Sequence, residues 1–480
     1  MNYSESLSHP VFKLISETAR DLGREVYVVG GFVRDLFLGR NSKDIDFVTI
    51  GSGIEIAREV KKRIGKNATL SVFPTFGTAQ VKTSGLELEF VGARKESYSP
   101  DSRNPAVEEG TLAEDMARRD FTINAIAISL NQDNYGELID PFNGLQDIHN
   151  GIIRTPGETD ITFSDDPLRM LRAIRFATQL HNLMTPFKDE SFSFDITPET
   201  LDSIKRNSSR MSIITRERIN DELFKIMRSA KPSLGWRLLD RLDLLPYVFP
   251  SLLPLKGVKM IEGKGHKDNF NHTLQVLDNV AEKSDNEWLR WAALLHDIAK
   301  PETKKFDSKN GWTFRNHNFI GQKKVPVIFR EMRLPLNDKM KYVSKLVGMH
   351  MRPQAVADEG VTDSGVRRMI TEAGNDIDDL MILAESDITS KQPEKVRRQL
   401  EGFSKLRKRM AQIADADALR NWKNPVTGNE IMDRLNIPEG KEIARLKDIV
   451  KEAIMEGRIP YDHDAAWAYL INSLAEENNK

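Results

Sequence analysis

The first 150 residues alternate short apolar runs with polar turns, a pattern typical of a small sheet accompanied by a few helices. Helical spacing of apolar positions predicts a leading helix before residue 25, then helices at 32–39, 54–64 and just after 111. The apolar runs between them predict strands at 26–29, around 44–48, and at 68–72, 78–82, 86–91 and 125–130. A long polar loop is expected at 95–111.

The pattern changes after residue 163, where apolar positions recur at helical spacing and no further strand is predicted. We therefore expect an α+β chain in four parts: a head at 1–150 with a small mixed sheet, a helical neck at 151–235, a helical body at 236–400 and a helical tail at 401–480. The soft prior for a chain of 480 residues is about three domains, which is close to this division.

The composition of the chain says more about the cellular compartment and the partners of the protein than about the reaction it performs. The sequence has no cysteine, which excludes disulfides and thiolate zinc sites and favours a reducing cytoplasm. Its longest apolar runs are too short to cross a membrane, so we expect no membrane partner. The net charge is −1, so a nucleic-acid partner would have to bind local basic patches.

Two carboxylates, Asp44 and Asp46, lie two residues apart on a predicted strand and therefore on one face. Such a pair repels unless a cation lies between its members, and a divalent metal is the usual solution. Just before them, Gly30-Gly31 leads into a helix whose free amide groups suit phosphate. Together these features predict a site for a metal-bound nucleotide.

A third carboxylate candidate is Glu89, in a strand whose alternation places it and Glu87 on the face opposite Leu88 and Phe90. Three carboxylates from neighbouring strands can hold two Mg²⁺ ions, one activating an attacking hydroxyl and one stabilising a leaving phosphate oxygen. Taken alone, Glu89 is better explained as an exposed residue on a strand face.

Five motifs follow one another between about residues 25 and 230: Gly30-Gly31-Phe-Val-Arg34-Asp35 with Asp44-Ile-Asp46, Arg118-Arg119-Asp120-Phe-Thr-Ile-Asn-Ala, Asp140-Pro-Phe-Asn-Gly, Asp165-Asp166-Pro-Leu-Arg169-Met-Leu-Arg172-Ala-Ile-Arg175-Phe-Ala and Arg216-Glu217-Arg218-Ile219. Their order resembles that of class II tRNA nucleotidyltransferases, the bacterial-type CCA-adding enzymes and their poly(A) polymerase relatives. The resemblance implies a polymerase-β-like palm in the head, a helical neck, and a chain that adds CCA to tRNA from CTP and ATP, releasing pyrophosphate.

The resemblance also implies roles for individual residues. Asp44, Asp46 and Glu89 would be the catalytic carboxylates, with Asp44 and Asp46 binding Mg²⁺. The nucleotide would be bound by a set of residues spread over three motifs: Gly30, Gly31, Arg34, Asp35, Arg119, Asp120, Asp166, Arg169, Arg172 and Arg175. For Arg172 and Arg175 the alternative is a solvated helix face.

Asp166 and Arg169 resemble the family's nucleotide-selecting pair, and the chemistry of the bases explains such a role. Cytosine and adenine both offer an exocyclic amine beside a ring-nitrogen acceptor, so an Asp acceptor and an Arg donor serve both. Guanine and uracil offer the inverted pattern and would leave buried groups unpaired, at about 1–3 kcal/mol each. The protein would then act as the template.

Several alternatives remain open from sequence. The motifs are shared with poly(A) polymerases and with enzymes that add only CC or only A. Bacterial poly(A) polymerases carry an extra basic segment, whereas the stretch 71–91 contains Lys82 as its single basic residue, which favours CCA addition. An alternative of another class is a phosphohydrolase whose head is an inactive RNA-binding module.

A second set of residues, in the predicted helical body, resembles the HD superfamily of metal-dependent phosphohydrolases, with Leu294-Leu-His-Asp-Ile-Ala-Lys close to its central motif. The implied metal ligands are His272, His296, Asp297, His317, His350 and Asp387. Imidazole and carboxylate ligands suit Mn, Fe, Ni, Co or Mg. Phosphatase and 2′,3′-cyclic phosphodiesterase activities are implied, and the alternative is a structural body that only holds tRNA.

The stretch Lys391–Arg409 carries eight basic and two acidic residues in a chain that is close to neutral. This asymmetry favours a surface that follows RNA phosphates, although a solvated helix face would explain any single charge. The tail resembles that of HD-containing bacterial CCA-adding enzymes, which implies recognition of tRNA by shape and backbone.

Overall fold

The computed structural model describes residues 2–97, 106–261, 268–309, 311–358, 360, 362–390, 392–413 and 423–478. The chain folds into two compact units, Met1–Pro250 and Ser251–Lys480. The first unit contains a mixed sheet with helices, and the second is predominantly helical, which confirms the α+β prediction. The four-part division of the chain stays a prediction.

A seven-stranded sheet forms the head, in the spatial order β3-β4-β5-β2-β1-β8-β9. Strands β2 and β5 are parallel, and every other neighbouring pair in this sheet is antiparallel. The strands are β1 (Val26–Val29), β2 (Asp44–Thr49), β3 (Ala68–Phe73), β4 (Thr78–Thr83), β5 (Leu86–Gly92), β8 (Ala127–Ser129) and β9 (Leu138–Ile139).

The register of the parallel pair places Asp46 beside Glu89 and Asp44 beside Glu87. On the other side of β2, Asp46 is paired with Val29, the last residue of β1 before the Gly30-Gly31 turn. Because residues opposite one another in a sheet point to the same face, the register brings Asp46 and Glu89 together beside the turn.

Apolar side chains hold the first helices against the sheet. Phe47 of β2 stacks on Phe90 of β5 with ring centroids 4.9 Å apart, and Phe12 of the leading helix lies 6.2 Å from Phe47. All three rings are buried. The helices of this part are α1 (Pro10–Asp21), α2 (Gly31–Phe37), α3 (Gly53–Ile64), α4 (Leu112–Ala117) and α5 (Gly144–Asn150).

The expected loop at 95–111 is in part wrong, because its two ends pair as an antiparallel hairpin of β6 (Arg94–Ser97) and β7 (Ala106–Glu109). Residues 98–105, at the centre of that prediction, lie outside the described residues. The two strands read Arg-Lys-Glu-Ser and Ala-Val-Glu-Glu, which are mostly polar, so neither strand shows an apolar pattern that would predict it from sequence.

Helices dominate the remainder of the first unit, but the prediction that no strand follows residue 163 is wrong. Two small sheets interrupt the helices, one pairing β10 (Ile152–Ile153) with β13 (Asp195–Ile196) in parallel and one pairing β11 (Leu183–Thr185) with β12 (Lys188–Phe192). The helices are α6 (Thr159–Asp165), α7 (Leu168–Gln179), α8 (Pro198–Asn207), α9 (Arg216–Met227), α10 (Ser233–Arg241) and α11 (Leu245–Val248).

These strands are short, so most carry too few residues for a period of two to be recognised. One signal was available: Phe192 and Phe194 alternate with Ser191 and Ser193. Phe187 packs edge-on against Phe192, which in turn lies 5.4 Å from Phe194. An aromatic cluster therefore supports this hairpin.

The second unit is built on twelve described helices and one hairpin, β14 (Lys305–Asp307) with β15 (Gly311–Thr313), a further exception to the all-helical prediction. Its first helices are α12 (Asn269–Ala281), α13 (Glu287–Leu295), α14 (Lys300–Thr303), α15 (His317–Glu331), α16 (Asp338–Met349) and α17 (Arg352–Asp358). They are followed by α18 (Asp363–Ala373), α19 (Ile377–Ser386), α20 (Pro393–Gln412), α21 (Gly428–Leu435), α22 (Lys441–Met455) and α23 (His463–Asn478).

The end of the second unit has an apolar cluster of its own, in which Ile431, Leu446 and Leu470 are buried. Across the part of the chain that the structure describes, no helix has the length and apolar character needed to cross a membrane.

Candidate active site and candidate metal centre

The predicted carboxylates meet at the centre of the head sheet. Asp46 and Glu89 are direct neighbours on β2 and β5, and Asp44 lies two residues away on the same face. Burial and the negative charge of Asp44 raise the pKa of the Asp46 carboxyl, against the opposing charge of Arg119. Burial and Asp46 raise the pKa of the Glu89 carboxyl as well. Such a group of carboxylates is suited to a divalent cation, which would favour the charged forms.

Gly30 forms the wall beside these carboxylates, with a φ of +72° that L side chains rarely adopt. A methyl group added at Gly30 would lie 3.0 Å from Arg119 Nη1 and 3.5 Å from Asp46 Oδ2. The missing side chain therefore lets the Gly30-Gly31 turn pack closely against Arg119 and Asp46. Arg119 is itself held by Asp115, whose Oδ2 lies 3.1 Å from Arg119 Nη2.

Three further nucleotide-binding candidates of the head, Arg34, Asp35 and Asp120, belong to a polar network beside the turn. Arg34 donates from Nη1 to Asn124 Oδ1 at 2.7 Å and from Nη2 to Asp35 Oδ1 at 3.0 Å. Asn124 in turn donates to Asp120 Oδ1 at 2.9 Å. Asp35 and Asp120 thus hold other protein groups in this structure, and direct contact of either with a nucleotide stays a prediction.

Asp120 connects this network to α7. Its Oδ2 accepts a hydrogen bond from Arg172 Nε at 2.8 Å, and Arg172 Nη2 lies 2.6 Å away. Burial acts to raise the pKa of the Asp120 carboxyl, but Arg172 and Asn124 outweigh it and hold the pKa well below the usual range. The ion pair therefore fixes one face of α7 beside the head network.

The nucleotide-selecting candidates lie at the start of α7. Asp166 is in extended conformation before Pro167, and its Oδ1 caps the first turn by accepting from the amide of Leu168 at 3.2 Å. Arg218 of α9 binds the same carboxylate through both nitrogens, at 2.7 and 3.3 Å. Arg169, half-buried one turn on, makes no hydrogen bond to another described side chain, which leaves its guanidinium available.

Arg175 lies deeper than the sequence indicated. Its side chain is buried, with Nε 2.5 Å from Glu222 Oε2 on α9 and the guanidinium 3.9 Å from the ring centroid of Phe176. Burial lowers the pKa of Arg175 to about 10. A solvated helix face is therefore excluded for Arg175, and the ion pair gives it a structural role in joining α7 to α9. Its predicted contact with the triphosphate stays a prediction.

In the second unit, the six predicted metal ligands converge. His272 Nε2 lies 2.9 Å from Asp387 Oδ1 and 3.3 Å from Asp297 Oδ2, while His296 Nε2 lies 3.2 Å from Asp297 Oδ2. On the other side, His317 Nε2 lies 3.3 Å from Asp297 Oδ1 and 3.3 Å from His350 Nε2. Two groups of potential ligands result, and Asp297 belongs to both: His272, His296 and Asp297, and Asp297, His317 and His350.

The outer ring nitrogens orient these histidines toward the centre. The Nδ1 atoms of His296, His317 and His350 lie 2.6–2.7 Å from backbone carbonyl oxygens, and Nδ1 of His272 lies 2.8 Å from the Thr389 hydroxyl. Each carbonyl requires a proton on Nδ1, so the Nε2 lone pair is directed inward. This is the arrangement in which histidine binds metals.

The chemistry of the centre fits a cation. His296 Nε2 and both oxygens of Asp297 are buried and lack a hydrogen-bond partner among the described residues. Lys300 Nζ lies 2.5 Å from Asp297 Oδ2, an ion pair without hydrogen-bond geometry. Unsatisfied buried ligand atoms of this kind are costly unless an ion pairs with them. The residues therefore fit a divalent metal, which the two groups of potential ligands would hold.

Comparison with known proteins agrees with this geometry. Residues 26–154 match the profile of the Poly A polymerase head domain, residues 193–255 that of the probable RNA and SrmB-binding site of polymerase A, and residues 269–422 that of the HD domain. The Multifunctional CCA protein of Shewanella frigidimarina is 36% identical over 309 residues, which cover 63% of this chain and 68% of the relative. The chain belongs to the tRNA nucleotidyltransferase and poly(A) polymerase family.

The relatives of the chain within this family are named for different products of nucleotide addition. The A-adding tRNA nucleotidyltransferase of Aquifex aeolicus is 49% identical over 155 residues, which cover 32% of this chain and 18% of that relative. The fold is that of the CCA-adding enzyme of Bacillus stearothermophilus, solved in complex with CTP: the TM-score is 0.66 at 23% identity, over 97% of this chain and 98% of the other. Membership of the family is confirmed, while the nucleotides added remain to be assigned.

Sequence reasoning missed several residues that position the site. Arg218 belongs to the last of the five sequence motifs, but no role could be assigned to it from sequence. In the structure it contacts Asp166, which lies 52 residues earlier in the chain. Asn124 likewise bridges Arg34 and Asp120. Phe176 carries the guanidinium groups of Arg34, Arg172 and Arg175 within 3.9–5.7 Å of its ring centroid. Its only sequence signal was its place directly after the last arginine of the helix motif.

Proposed function

We propose that the chain adds CCA to the 3′ end of tRNA, using CTP and then ATP. The observation that carries this proposal is the register of β2 and β5, which sets Asp46 beside Glu89 and next to the closely packed Gly30 turn. The name of the Shewanella relative supports CCA as the product. In the reaction the tRNA 3′-hydroxyl oxygen bonds to the α-phosphorus, and the bond to the leaving pyrophosphate breaks.

Asp44, Asp46 and Glu89 would hold Mg²⁺, because carboxylate oxygens are the ligands this ion prefers. Bound Mg²⁺ would activate the attacking hydroxyl and stabilise the leaving phosphate oxygen. Arg119, held by Asp115 beside Gly30, brings positive charge to the same place and can bind the triphosphate.

Base selection is assigned to Asp166 and Arg169. The Asp166 carboxylate would accept a hydrogen bond from the exocyclic amine of cytosine or adenine, and Arg169 would donate to the neighbouring ring nitrogen. Arg218 holds Asp166 by both carboxylate oxygens, which limits the directions in which Asp166 can accept. Arg218 would thereby sharpen the selection against guanine and uracil.

An enzyme that adds only the terminal A is the second candidate, and the Aquifex relative favours it through its name and its 49% identity. A poly(A) polymerase is a third. Lys82, the single basic residue at 71–91, is paired with Glu87 at 2.7 Å, which leaves this stretch without a free basic side chain for RNA among its described residues. This observation supports CCA addition over poly(A) addition.

The deciding experiment supplies purified protein with Mg²⁺ and two tRNAs, one ending before CCA and one ending in CC. With CTP and ATP together, we expect the first to gain three nucleotides and the second to gain one A. If only the CC-ended tRNA is extended, the protein is an A-adding enzyme. If the other tRNA gains CC and neither tRNA gains A, it is a CC-adding enzyme. Long A-tails would identify a poly(A) polymerase. No extension of either tRNA would contradict nucleotidyl transfer.

We further infer that the second unit is a metal-dependent phosphohydrolase that trims damaged RNA ends, in the cytoplasm where tRNA is repaired. Its ligands would hold Mn, Ni, Co, Fe or Mg, and the bound metal would lower the pKa of a water that attacks phosphorus. The inward-facing Nε2 atoms, together with the buried Asp297 oxygens that have no hydrogen-bond partner among the described residues, support an active centre over a structural body. Hydrolysis of 2′,3′-cyclic AMP across several divalent metals tests it, and inactivity with all of them would favour the structural alternative.

Contact of the tail with tRNA rests on charge. On α20, Arg397 is paired with Glu394 and Glu401, Arg407 with Glu385, and Arg409 with Asp363. Lys391 lies outside the described residues. Lys395, Arg398, Lys405 and Lys408 make no ion pair with another described residue, and Lys395 lines a cavity of the second unit. The other three would contact RNA phosphates, a smaller surface than the sequence indicated.

A further inference from the structure

A cavity of about 170 Å³ opens beside the candidate metal centre of the second unit. Two of the metal-ligand candidates, His350 and Asp387, form part of its wall. A ligand in this cavity would therefore be in reach of whatever metal these residues hold. The remaining wall is contributed by residues that no part of the proposed function has used.

Polar donors from two helices line the rest of this cavity. Lys395 and Gln399 of α20 both line it, and because they are four residues apart they lie on one side of that helix. Gln354 of α17 lies opposite, with its Oε1 3.5 Å from Gln399 Nε2 and its own amide held by Asp358 at 2.7 Å. The hydroxyl-bearing Thr389 and Ser390 complete this polar part of the wall.

Charge distinguishes the cavity from a general polar cleft. Lys395 is its single cationic side chain among the lining residues, and it forms no ion pair with another described residue. Asp387, the single carboxylate of the wall, lies 2.9 Å from His272 Nε2. A free ammonium next to a metal centre is the arrangement expected for an anionic ligand whose other end reaches the metal.

Size limits the ligand. The cavity is smaller than the 300–1,000 Å³ typical of sites that enclose a whole drug-sized molecule. It fits a phosphorylated ribose better than a complete dinucleotide. Apolar contact from Met351, Ala384 and Ile388 on the same wall is compatible with the carbon face of a sugar.

We propose that this cavity binds the terminal ribose phosphate of a nucleotide or RNA end, and that Lys395, with Gln399, binds its phosphoryl oxygens. The assignment rests on the proposed phosphohydrolase function, which it deepens by naming the residues that position the substrate. Lys395 is then a binding residue of the metal site and has no part in the nucleotidyl transfer of the head.

The test compares full-length wild type with Lys395→Gln, Lys395→Arg and Lys339→Gln. Lys339 is the control, an exposed lysine of α16 that does not line the cavity. With 2′,3′-cyclic AMP and Mn²⁺, Lys395→Gln should raise KM about 10- to 100-fold and leave kcat within about threefold, because it removes a charged contact to phosphate. Lys395→Arg should restore most of the affinity, and Lys339→Gln should change nothing.

A binding measurement separates this inference from catalysis. Adenosine 3′-phosphate, titrated calorimetrically into each protein, should bind Lys395→Gln about tenfold or more weakly than wild type and Lys339→Gln equally well. A tRNA ending in a 2′,3′-cyclic phosphate, used beside the nucleotide, distinguishes an RNA end from a free nucleotide as the source of the phosphate.

The outcomes distinguish the two proposals. Hydrolysis by wild type with an unchanged KM and affinity in Lys395→Gln would overturn the role of Lys395 and leave the phosphohydrolase intact. Binding that depends on Lys395 without hydrolysis by any metal-loaded protein would support the cavity and overturn the phosphohydrolase. A wild type that neither binds adenosine 3′-phosphate nor hydrolyses the cyclic nucleotide would overturn both.

Discussion

Gly30 is the residue on which the head site depends most closely. Its backbone angles of φ +72° and ψ −132° are nearly closed to L side chains, and an added methyl group would lie 3.0 Å from Arg119 Nη1, so that Arg119 would have to shift. The side chains that would bind the nucleotide and the metal therefore approach the turn only because position 30 is glycine.

Gly30→Ala should lower the free energy of unfolding by about 1–3 kcal/mol through backbone strain. It should also slow tRNA extension about 100-fold, because displacing Arg119 or Asp46 misaligns the reactants. Gly77→Ala is the control, since Gly77 also has a positive φ but nothing within 4 Å of an added methyl group. Chemical denaturation and single-turnover extension measure both effects. Equal losses of activity in the two variants would contradict the close-packing account.

Asp120 links stability to pH. Its folded-state pKa lies below the unfolded value of about 3.9, so the ion pair with Arg172 stabilises the fold fully above that value. The contribution is then lost as the pH falls below about 4 towards the folded-state pKa.

Asp120→Asn should therefore cost about 2 kcal/mol of unfolding free energy at pH 7, by removing a charged hydrogen bond to Arg172. The difference between wild type and variant should stay constant from pH 8 to about 5 and narrow below about 4. Urea denaturation at a series of pH values measures it. A difference that widened on acidification would refute the proposed direction of the pKa shift.

At the scale of secondary-structure elements, α7 carries base selection, and α9 positions it. Two contacts join them, Arg218 with Asp166 at one end and Arg175 with Glu222 further along. Glu222 is buried and keeps Lys225 as a second partner at 3.0 Å. Breaking the second contact should loosen α7 while leaving Asp166 and Arg169, the proposed base-selecting pair, in place.

Arg175→Met should destabilise the fold by about 3 kcal/mol, because Glu222 would lose its closer partner in a buried place. The double variant Arg175→Met, Glu222→Met should recover part of that loss, which a double-mutant cycle of unfolding free energies measures. The exposed pair Lys205 and Asp243 is the control, and Lys205→Met should cost less than about 1 kcal/mol. If Arg175 binds the triphosphate instead, the double variant would regain stability but keep a raised KM for CTP.

The sequence predicted an element only where the element was long enough to show a regular pattern of apolar residues. The strands that carry Asp44, Asp46 and Glu89 were predicted because Ile45, Phe47 and Val48 make β2 apolar and because residues 86–90 of β5 alternate between apolar and acidic. The two-residue strands β10 and β13 offered no period, and their pairing depends on residues more than 40 positions apart. The partners of the site residues were missed for the same reason, since contacts such as Arg218 with Asp166 depend on packing that a linear pattern does not contain.

At the scale of the whole molecule, each compact unit has one candidate site. The head unit contains the carboxylates of β2 and β5, and Ser251–Lys480 contains the histidine and aspartate centre. Both candidate ligand sets were predicted from sequence, because the order of their motifs resembles that of two known families. The cavity beside the metal centre was not, because its wall combines residues of three helices separated by loops.

The central claim is that these two sites perform two separate reactions. The most direct measurement assays wild type, Asp46→Asn and His296→Asn in parallel for CTP and ATP addition to tRNA and for hydrolysis of 2′,3′-cyclic AMP. We predict that Asp46→Asn loses nucleotide addition by about 1,000-fold or more and keeps hydrolysis, and that His296→Asn shows the opposite pattern. Nucleotide addition that survives Asp46→Asn would contradict the account.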